Sequence, residues 1–103
     1  MPLDLFSPIG ATVSLSVTST TGSVALTSVG TAPVTKSVRV YNAGTATAFL
    51  AFGVSDIAAV AATSMPIPSG GIETFELGPN VTHAAGITAS GTATVYFTVG
   101  RGA

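Results

Sequence analysis

The sequence predicts an all-β fold, an antiparallel β-sandwich or jelly roll of about seven or eight short strands. Three observations lead to this prediction. β-branched and aromatic residues recur in short runs, strong helix formers are few, and Gly, Pro, Ser and Asn divide the runs at near-regular spacing. Because β-branched side chains fit a pleated sheet and lose rotamer freedom in a helix, the runs are predicted to be strands.

The first predicted strands show strict alternation of apolar and polar residues, the pattern of a half-buried strand. It occurs in residues 12–18, recurs around 24–26 and continues in 37–41. The apolar residues predicted to share the inner face are Val13, Leu15, Val17, Val24, Leu26, Val38 and Val40. Arg39 and Tyr41 are predicted to face the other way, because successive side chains of a strand point to opposite faces.

The middle of the chain begins with a turn signal. Residues 42–45, Asn-Ala-Gly-Thr, predict a tight hairpin, because Asn and Gly accept the positive φ that such a turn requires. Residues 47–53 are apolar on both faces, which predicts a central strand covered by the core on one side and by a partner or loop on the other. Residues 56–62 are ambiguous: their alanines suit a helix, but Val60 and the short length favour a strand.

Two prolines and two glycines interrupt the pattern at residues 65–71. Proline removes a backbone donor and glycine favours turns, so this stretch is predicted to be irregular. Residues 72–77 are predicted to be extended, with Phe75 and Leu77 on the same face as Glu73. The chain is predicted to turn again directly after this strand, at Gly-Pro-Asn.

The last predicted strands are residues 83–89 and 92–99, which would form a hairpin across Ser90-Gly91. Val95, Phe97 and Val99 are predicted to point to one side, and Tyr96 to the other. The phenylalanines in strand patterns are predicted to lie in the core: Phe49, Phe52, Phe75 and Phe97. Tyr41 and Tyr96 lie opposite the main apolar face, so they are the aromatic residues expected at a subunit interface.

The first ten residues differ from the rest. Residues 1–10 are predicted to form an extended N-terminal arm, and residues 11–103 a single β-sandwich domain. The arm carries apolar side chains but also Pro2, Pro8 and Gly10, which prevent a helix; the apolar residues, all candidates for an interface, are Leu3, Leu5, Phe6 and Ile9. The arm either closes one end of the core or reaches a neighbouring subunit.

Charge is scarce in this chain. Only 7% of its residues are Asp, Glu, Lys or Arg, whereas about 25% is usual for a soluble domain. Three basic residues (Lys36, Arg39 and Arg101) are too few and too scattered for nucleic acid. No apolar run approaches the roughly 20 residues of a membrane-spanning helix, and the first residues lack the basic region of a signal peptide. The sequence therefore predicts a protein that is made in the cytoplasm and tolerates contact with partners.

No constellation of catalytic or ligand-binding residues is evident. His83 is the single histidine, and as a strand residue beside a turn it is predicted to bond a turn carbonyl or to lie at an interface. Glu73 and Glu76 are three apart in a strand and point to opposite faces. Metal-ligand spacing is absent, no cysteine is present, and Gly70-Gly71 precedes a strand rather than a helix N-terminus. The prediction is a protein that is not an enzyme, with no metal and no cofactor.

Several segments resemble small proteins encoded among the virion genes of tailed bacteriophages and prophages. The resemblance covers about the last two-thirds of the chain, whereas the first third matches only in being rich in Ser and Thr and strand-like. The segments that carry it are VRVYNAGT (38–45), AFLAFG (48–53), MPIPSG (65–70), ETFEL (73–77), HAA (83–85) and GTATVYFTVG (91–100).

The resemblance implies a virion structural protein of β-sandwich or jelly-roll fold, a capsid decoration or cement protein. Its partners would be the major capsid protein and copies of itself, as a homodimer or homotrimer on the capsid exterior. No catalytic residue is implied. Two alternatives stay open: a neck, tail or head-fibre-anchoring component of the virion, and a small carbohydrate-binding β-sandwich, against which the lack of Trp counts.

Overall fold

The computed structural model describes residues 7–8, 11–26, 36–60, 64–77 and 81–101. These residues form nine strands and no helix: β1 (Ser7–Pro8), β2 (Val13–Val17), β3 (Gly22–Ala25), β4 (Lys36–Asn42), β5 (Ala48–Gly53), β6 (Met65–Ile67), β7 (Ile72–Leu77), β8 (His83–Thr88) and β9 (Ala93–Arg101). All strand pairs are antiparallel. The prediction of an all-β fold is thereby confirmed.

The strands form two sheets. In the first sheet the order is β1-β9-β4-β7, and β2 also pairs with β9. In the second sheet the order is β3-β8-β5-β6. The chain changes sheet at most of its connections, so the hydrogen-bonded neighbours of a strand are mostly distant in sequence. Val13 of β2, for example, lies opposite Phe97 of β9.

Two predicted hairpins are wrong. The turn predicted at residues 42–45 falls at the end of β4 and in residues 43–47, which connect β4 of the first sheet to β5 of the second. Residues 89–92 connect β8 of the second sheet to β9 of the first. Asn42 ends β4 without a positive φ; among the described residues only Gly70 and Gly91 have one. Turn-forming residues mark a change of direction, and this signal does not distinguish a hairpin from a crossing between sheets.

Two other local predictions also differ from the structure. Residues 65–67 form β6, although they were predicted to be irregular. β6 lies at the edge of the second sheet, where Pro66 can be accommodated because one side of an edge strand has no ladder partner. Residues 57–60 form no strand, and residues 61–63 lie outside the described part of the chain. The added β1 and β6 raise the strand number above the predicted seven or eight.

A core of buried apolar side chains joins the sheets. Its members are Val17, Val38, Val40, Ala48, Leu50, Ile67, Leu77, Ala84, Ala93, Val95, Phe97 and Val99. Phe52 of the second sheet meets two phenylalanines of the first: its ring centroid lies 5.7 Å from that of Phe75 and 6.2 Å from that of Phe97. The predicted core positions of these three rings are confirmed. Phe49 is the exception, since its neighbours Ala48 and Leu50 point into the core and it faces the other side.

Residues 54–60, hereafter the covering segment, lie over the outer face of the second sheet. The side chain of Ile57 lies against Gly53 of β5, about where a Cβ atom of residue 53 would point. The backbone N–H of Ala59 donates to the hydroxyl of Thr21, just before β3, at 2.8 Å. Ala59 and Ala85 are buried outside the main core cluster. The covering segment is thus a loop of the kind predicted from the apolar outer side of residues 47–53.

Candidate interaction surface on the first sheet

Tyr96, Tyr41 and Ile72 lie side by side on the outer face of the first sheet and are called the tyrosine row below. Pairing of β9, β4 and β7 sets Tyr41 directly opposite Tyr96 on one side and opposite Ile72 on the other. The two rings are stacked, with centroids 6.3 Å apart and planes 17° apart. Because the alternate residues Val40 and Phe97 point into the core, the row points away from it.

The tyrosine row is exposed. Ile72 retains 60% of its accessible surface, Tyr41 42% and Tyr96 39%. Cross-strand aromatic contact of this kind contributes up to about 1 kcal/mol, far less than burial of the same rings would. The sequence prediction that both tyrosines face away from the core is confirmed. Ile72, which completes the row, was not singled out, because only the strand register reveals that it lies beside Tyr41.

Polar side chains flank the tyrosine row. Toward the C-terminal end of β9, the Thr12 and Thr98 hydroxyls lie 2.7 Å apart, and the Nε of Arg39 donates to the hydroxyl of Thr74 at 3.3 Å. Toward its N-terminal end, Thr94 pairs with Ser16 on the same face. The apolar part of this face is therefore a strip one residue wide along the strands and three strands across, about 10 Å at the usual strand spacing.

The outer faces of the two sheets are unequal. On the second sheet, Ala85 is fully buried although its side chain points away from the core, and the covering segment contacts that side through Ile57 and Ala59. On the first sheet the described residues place no such segment over the tyrosine row, as its exposure shows. The described part of the chain thus closes one apolar face and leaves the other open.

Asn42 follows Tyr41 and holds this end of β4 in place. Its side chain is fully buried, and its Nδ2 donates to the carbonyl oxygens of Ala46 and Ile67, both at 2.9 Å. Its Oδ1 accepts from the N–H of Gly44 at 2.9 Å. Asn42 therefore links β4 of the first sheet to β6 of the second. The sequence assigned it to a turn, and no local signal distinguishes a turn asparagine from one that bridges two sheets.

His83, Glu73 and Glu76 do not converge on one site. His83 lies on the outer face of the second sheet, with its Nδ1 2.8 Å from the hydroxyl of Thr82, so its neighbour in the chain takes the place of the expected turn carbonyl. Glu73 pairs with Val40 and Glu76 with Ser37, which puts the carboxylates on opposite faces as predicted. Within the described residues, no group of three or more His, Cys, Asp or Glu is placed to hold a metal ion.

Part of the predicted N-terminal arm pairs with its own chain. Ser7 lies opposite Arg101 and Pro8 opposite Gly100, so β1 extends the β2 side of β9. The apolar arm residues that were predicted to form an interface all lie outside the described residues: Leu3, Leu5, Phe6 and Ile9. Their role stays a prediction.

No protein-family model and no curated protein matches this sequence. Among the residues that the structure describes, no helix has the length and apolar character needed to cross a membrane. The features that bear on function are the two-sheet fold, the scarcity of charge and the open tyrosine row.

Proposed function

We propose that the chain is a virion structural protein of a tailed bacteriophage, a capsid decoration or cement protein that binds across major capsid subunits and stabilises the assembled head. The observation that carries the proposal is the open tyrosine row on a sheet of a low-charge protein. Exposed aromatic residues within a polar rim are typical of protein interfaces. The resemblance of residues 38–100 to virion proteins is the reason for proposing that this interface forms on a phage particle.

A jelly-roll topology is part of the proposal. The orders β2-β9-β4-β7 and β3-β8-β5-β6 support it, because the first of these eight strands pairs with the last and the second pairs with the last but one. This order results when the two halves of a chain pair with each other as one long antiparallel hairpin and the hairpin then folds over into two sheets. The jelly rolls of viral capsid domains have this order. β1 is then an addition at the edge of the first sheet.

A surface with few charges suits a cement protein, which has to be covered by its neighbours on the shell. Ligands that bind only one state shift the equilibrium toward that state, so a module that bridges neighbouring subunits favours the intact shell. Burying a charged side chain requires that its hydration be replaced, whereas hydroxyl groups find new hydrogen-bond partners more readily. The tyrosine row itself is uncharged, and the charged groups of this face, Arg39 and Glu76, lie beside it, so covering the row alone has little desolvation cost to overcome.

The proposal is tested on particles that carry the protein. Quantitative mass spectrometry should find it in numbers comparable with those of the major capsid protein, and particles without it should lose their genome at lower temperature. Tyr96→Asp should abolish particle binding. Val54→Asp is the matched control, since Val54 is a similarly exposed apolar residue, 51% accessible, in the covering segment. A few copies per particle would instead indicate a neck, tail or fibre-anchoring component.

A carbohydrate-binding module is the second candidate, and the exposed, stacked tyrosines favour it over an enzyme. Aromatic rings present apolar faces to which sugar rings can stack. This candidate requires saturable binding of an oligosaccharide that Tyr41→Ala abolishes, measured by calorimetry on the isolated chain. If the wild type binds a sugar and Tyr41→Ala still binds particles at the wild-type level, the carbohydrate-binding role replaces the cement proposal.

A further inference from the structure

The tyrosine row is narrow, and its dimensions fit an extended peptide better than a whole sheet. Its apolar part is one residue wide along the strands, and hydroxyl groups flank it on both sides. A second sheet laid flat on this face would also cover Arg39, Glu76 and the flanking threonines, and charged side chains lose their hydration on burial even where they are paired. An extended segment could cover the three apolar side chains alone and offer its backbone to the flanking hydroxyls.

The sequence immediately before β1 has the apolar residues that such a peptide needs. Leu3 and Leu5 fall on the same side of an extended backbone, about 7 Å apart, which is less than the about 10 Å width of the tyrosine row. No charged residue except Asp4 occurs before Ser7, and Asp4 alternates with the leucines and would point away from the sheet. The spacing and polarity of the segment therefore match the row.

The position of β1 limits how far the segment can reach over its own sheet. β1 runs antiparallel to β9 and sets Ser7 opposite Arg101, at the end of β9 that is remote from Tyr96. Tyr96 lies five positions back along β9, about 17 Å at the rise of a strand. Leu5 is two residues from Ser7 and can lie at most about 7 Å from it, so the two leucines cannot together cover the row of their own chain.

We infer that the tyrosine row binds the segment containing Leu3 and Leu5 of a second copy of this chain. The inference rests on the proposed role of the tyrosine row as an assembly surface and names its occupant. Such a contact is heterologous, since the arm of one copy meets a different surface on the next, and repetition of one such contact closes a ring or extends a filament. The apolar residues of the arm and of the row are then covered in a single interface.

The oligomeric state of full-length variants tests the inference. Light scattering during size-exclusion chromatography should show an oligomer for the wild type and a single chain for both Leu3→Asp/Leu5→Asp and Tyr96→Asp, while Val54→Asp stays oligomeric. Mixing the two defective variants should restore a dimer, because one supplies an intact row and the other an intact arm. A monomeric wild type, or an arm variant that remains oligomeric, would overturn the inference.

Tyrosine fluorescence provides a second measurement. The chain has two tyrosines and no tryptophan, and both tyrosines lie in the row, so the emission reports on this surface alone. Acrylamide should quench the tyrosine emission of Leu3→Asp/Leu5→Asp, the arm variant, more strongly than that of the wild type. If Leu3→Asp/Leu5→Asp does not fold, Leu5→Ala replaces it in both measurements. Unchanged quenching and an unchanged oligomer in Leu5→Ala would contradict the inference.

The results also separate this inference from the proposed function. Loss of particle binding in Tyr96→Asp but not in the arm variant would show that the row binds the shell and not a sister arm, which overturns the inference alone. Particle binding retained in both variants would remove the row from the proposed function. Loss in both variants, with oligomers restored on mixing, supports the inference and the proposed function together.

Discussion

The side-chain amide of Asn42, at the end of a strand in the first sheet, donates a hydrogen bond to the carbonyl oxygen of Ile67 in the second. Tyr41, the preceding residue, stacks on Tyr96 at the surface. A fully buried polar bridge between the sheets thus stands next to the exposed row that is proposed to bind a partner. The position of the surface depends on this bridge.

Asn42→Ala should lower the free energy of unfolding by about 3 kcal/mol, because the buried carbonyl of Ile67 and the N–H of Gly44 both lose their partner. Urea unfolding followed by circular dichroism measures it. Thr45→Ala, at an exposed position of the same turn, should change stability by no more than about 0.5 kcal/mol. A loss below about 1 kcal/mol in Asn42→Ala would mean that water replaces the amide there.

Gly44→Ala should be destabilising by about 2 kcal/mol or more, because its new Cβ would overlap the Cα of Ala93 and the backbone would have to move. The matched control is Gly22→Ala, where the nearest atom is a Leu15 methyl carbon at 4.0 Å. Since glycine is unfavourable inside a strand, this control should be neutral or slightly stabilising. Equal thermal midpoints for the two variants would disprove the close approach at Gly44.

Phe97→Leu and Tyr96→Leu compare neighbouring aromatic residues on opposite faces of β9. Phe97 is fully buried against Phe52, so its truncation should cost about 1.5 kcal/mol in transfer and cavity terms. Tyr96 is exposed, and its loss should cost under about 0.5 kcal/mol, because only the ring contact with Tyr41 is removed. Denaturant titration at a concentration where the chains are monomeric checks both; a reversed order would contradict the strand register.

Thr21→Val should loosen the covering segment without unfolding the sheets. The hydroxyl of Thr21 accepts the N–H of Ala59, and loss of a hydrogen bond of about 1 kcal/mol should speed exchange of that amide several-fold. Hydrogen exchange read by NMR measures this rate. Thr47→Val, at an exposed position elsewhere, should leave the rate unchanged. An unaltered Ala59 amide in Thr21→Val would show that this hydrogen bond does not hold the segment in place.

The facing of side chains could be predicted from the sequence, because it depends only on the two-residue period of a strand. Val38 and Val40 are buried, Arg39 and Tyr41 are exposed, and buried residues alternate with more accessible ones over residues 93–99 of β9. Two-sided apolarity in residues 47–53 also predicted a cover on the outer face. These properties are local, so a local pattern is sufficient to reveal them.

The partners of each strand could not be predicted in this way. The Asn-Ala-Gly-Thr turn after β4 and the Ser-Gly turn after β8 both cross between sheets, although their residues equally suit hairpins. The tyrosine row depends on the same missing information: Tyr41, Tyr96 and Ile72 are remote in sequence, and only the pairing of β4 with both β9 and β7 brings them together. The sequence thus identified two members of the candidate surface but not its geometry.

The central position of β9 has a consequence for synthesis. It is the last described strand of the chain, yet it pairs with β1, β2 and β4 and contributes Val95, Phe97 and Val99 to the core. While the ribosome is still translating residues 93–101, the first sheet lacks the strand that joins its two halves. We therefore expect folding to wait until the ribosome exit tunnel has released that stretch, with the earlier strands relying on chaperones in the meantime.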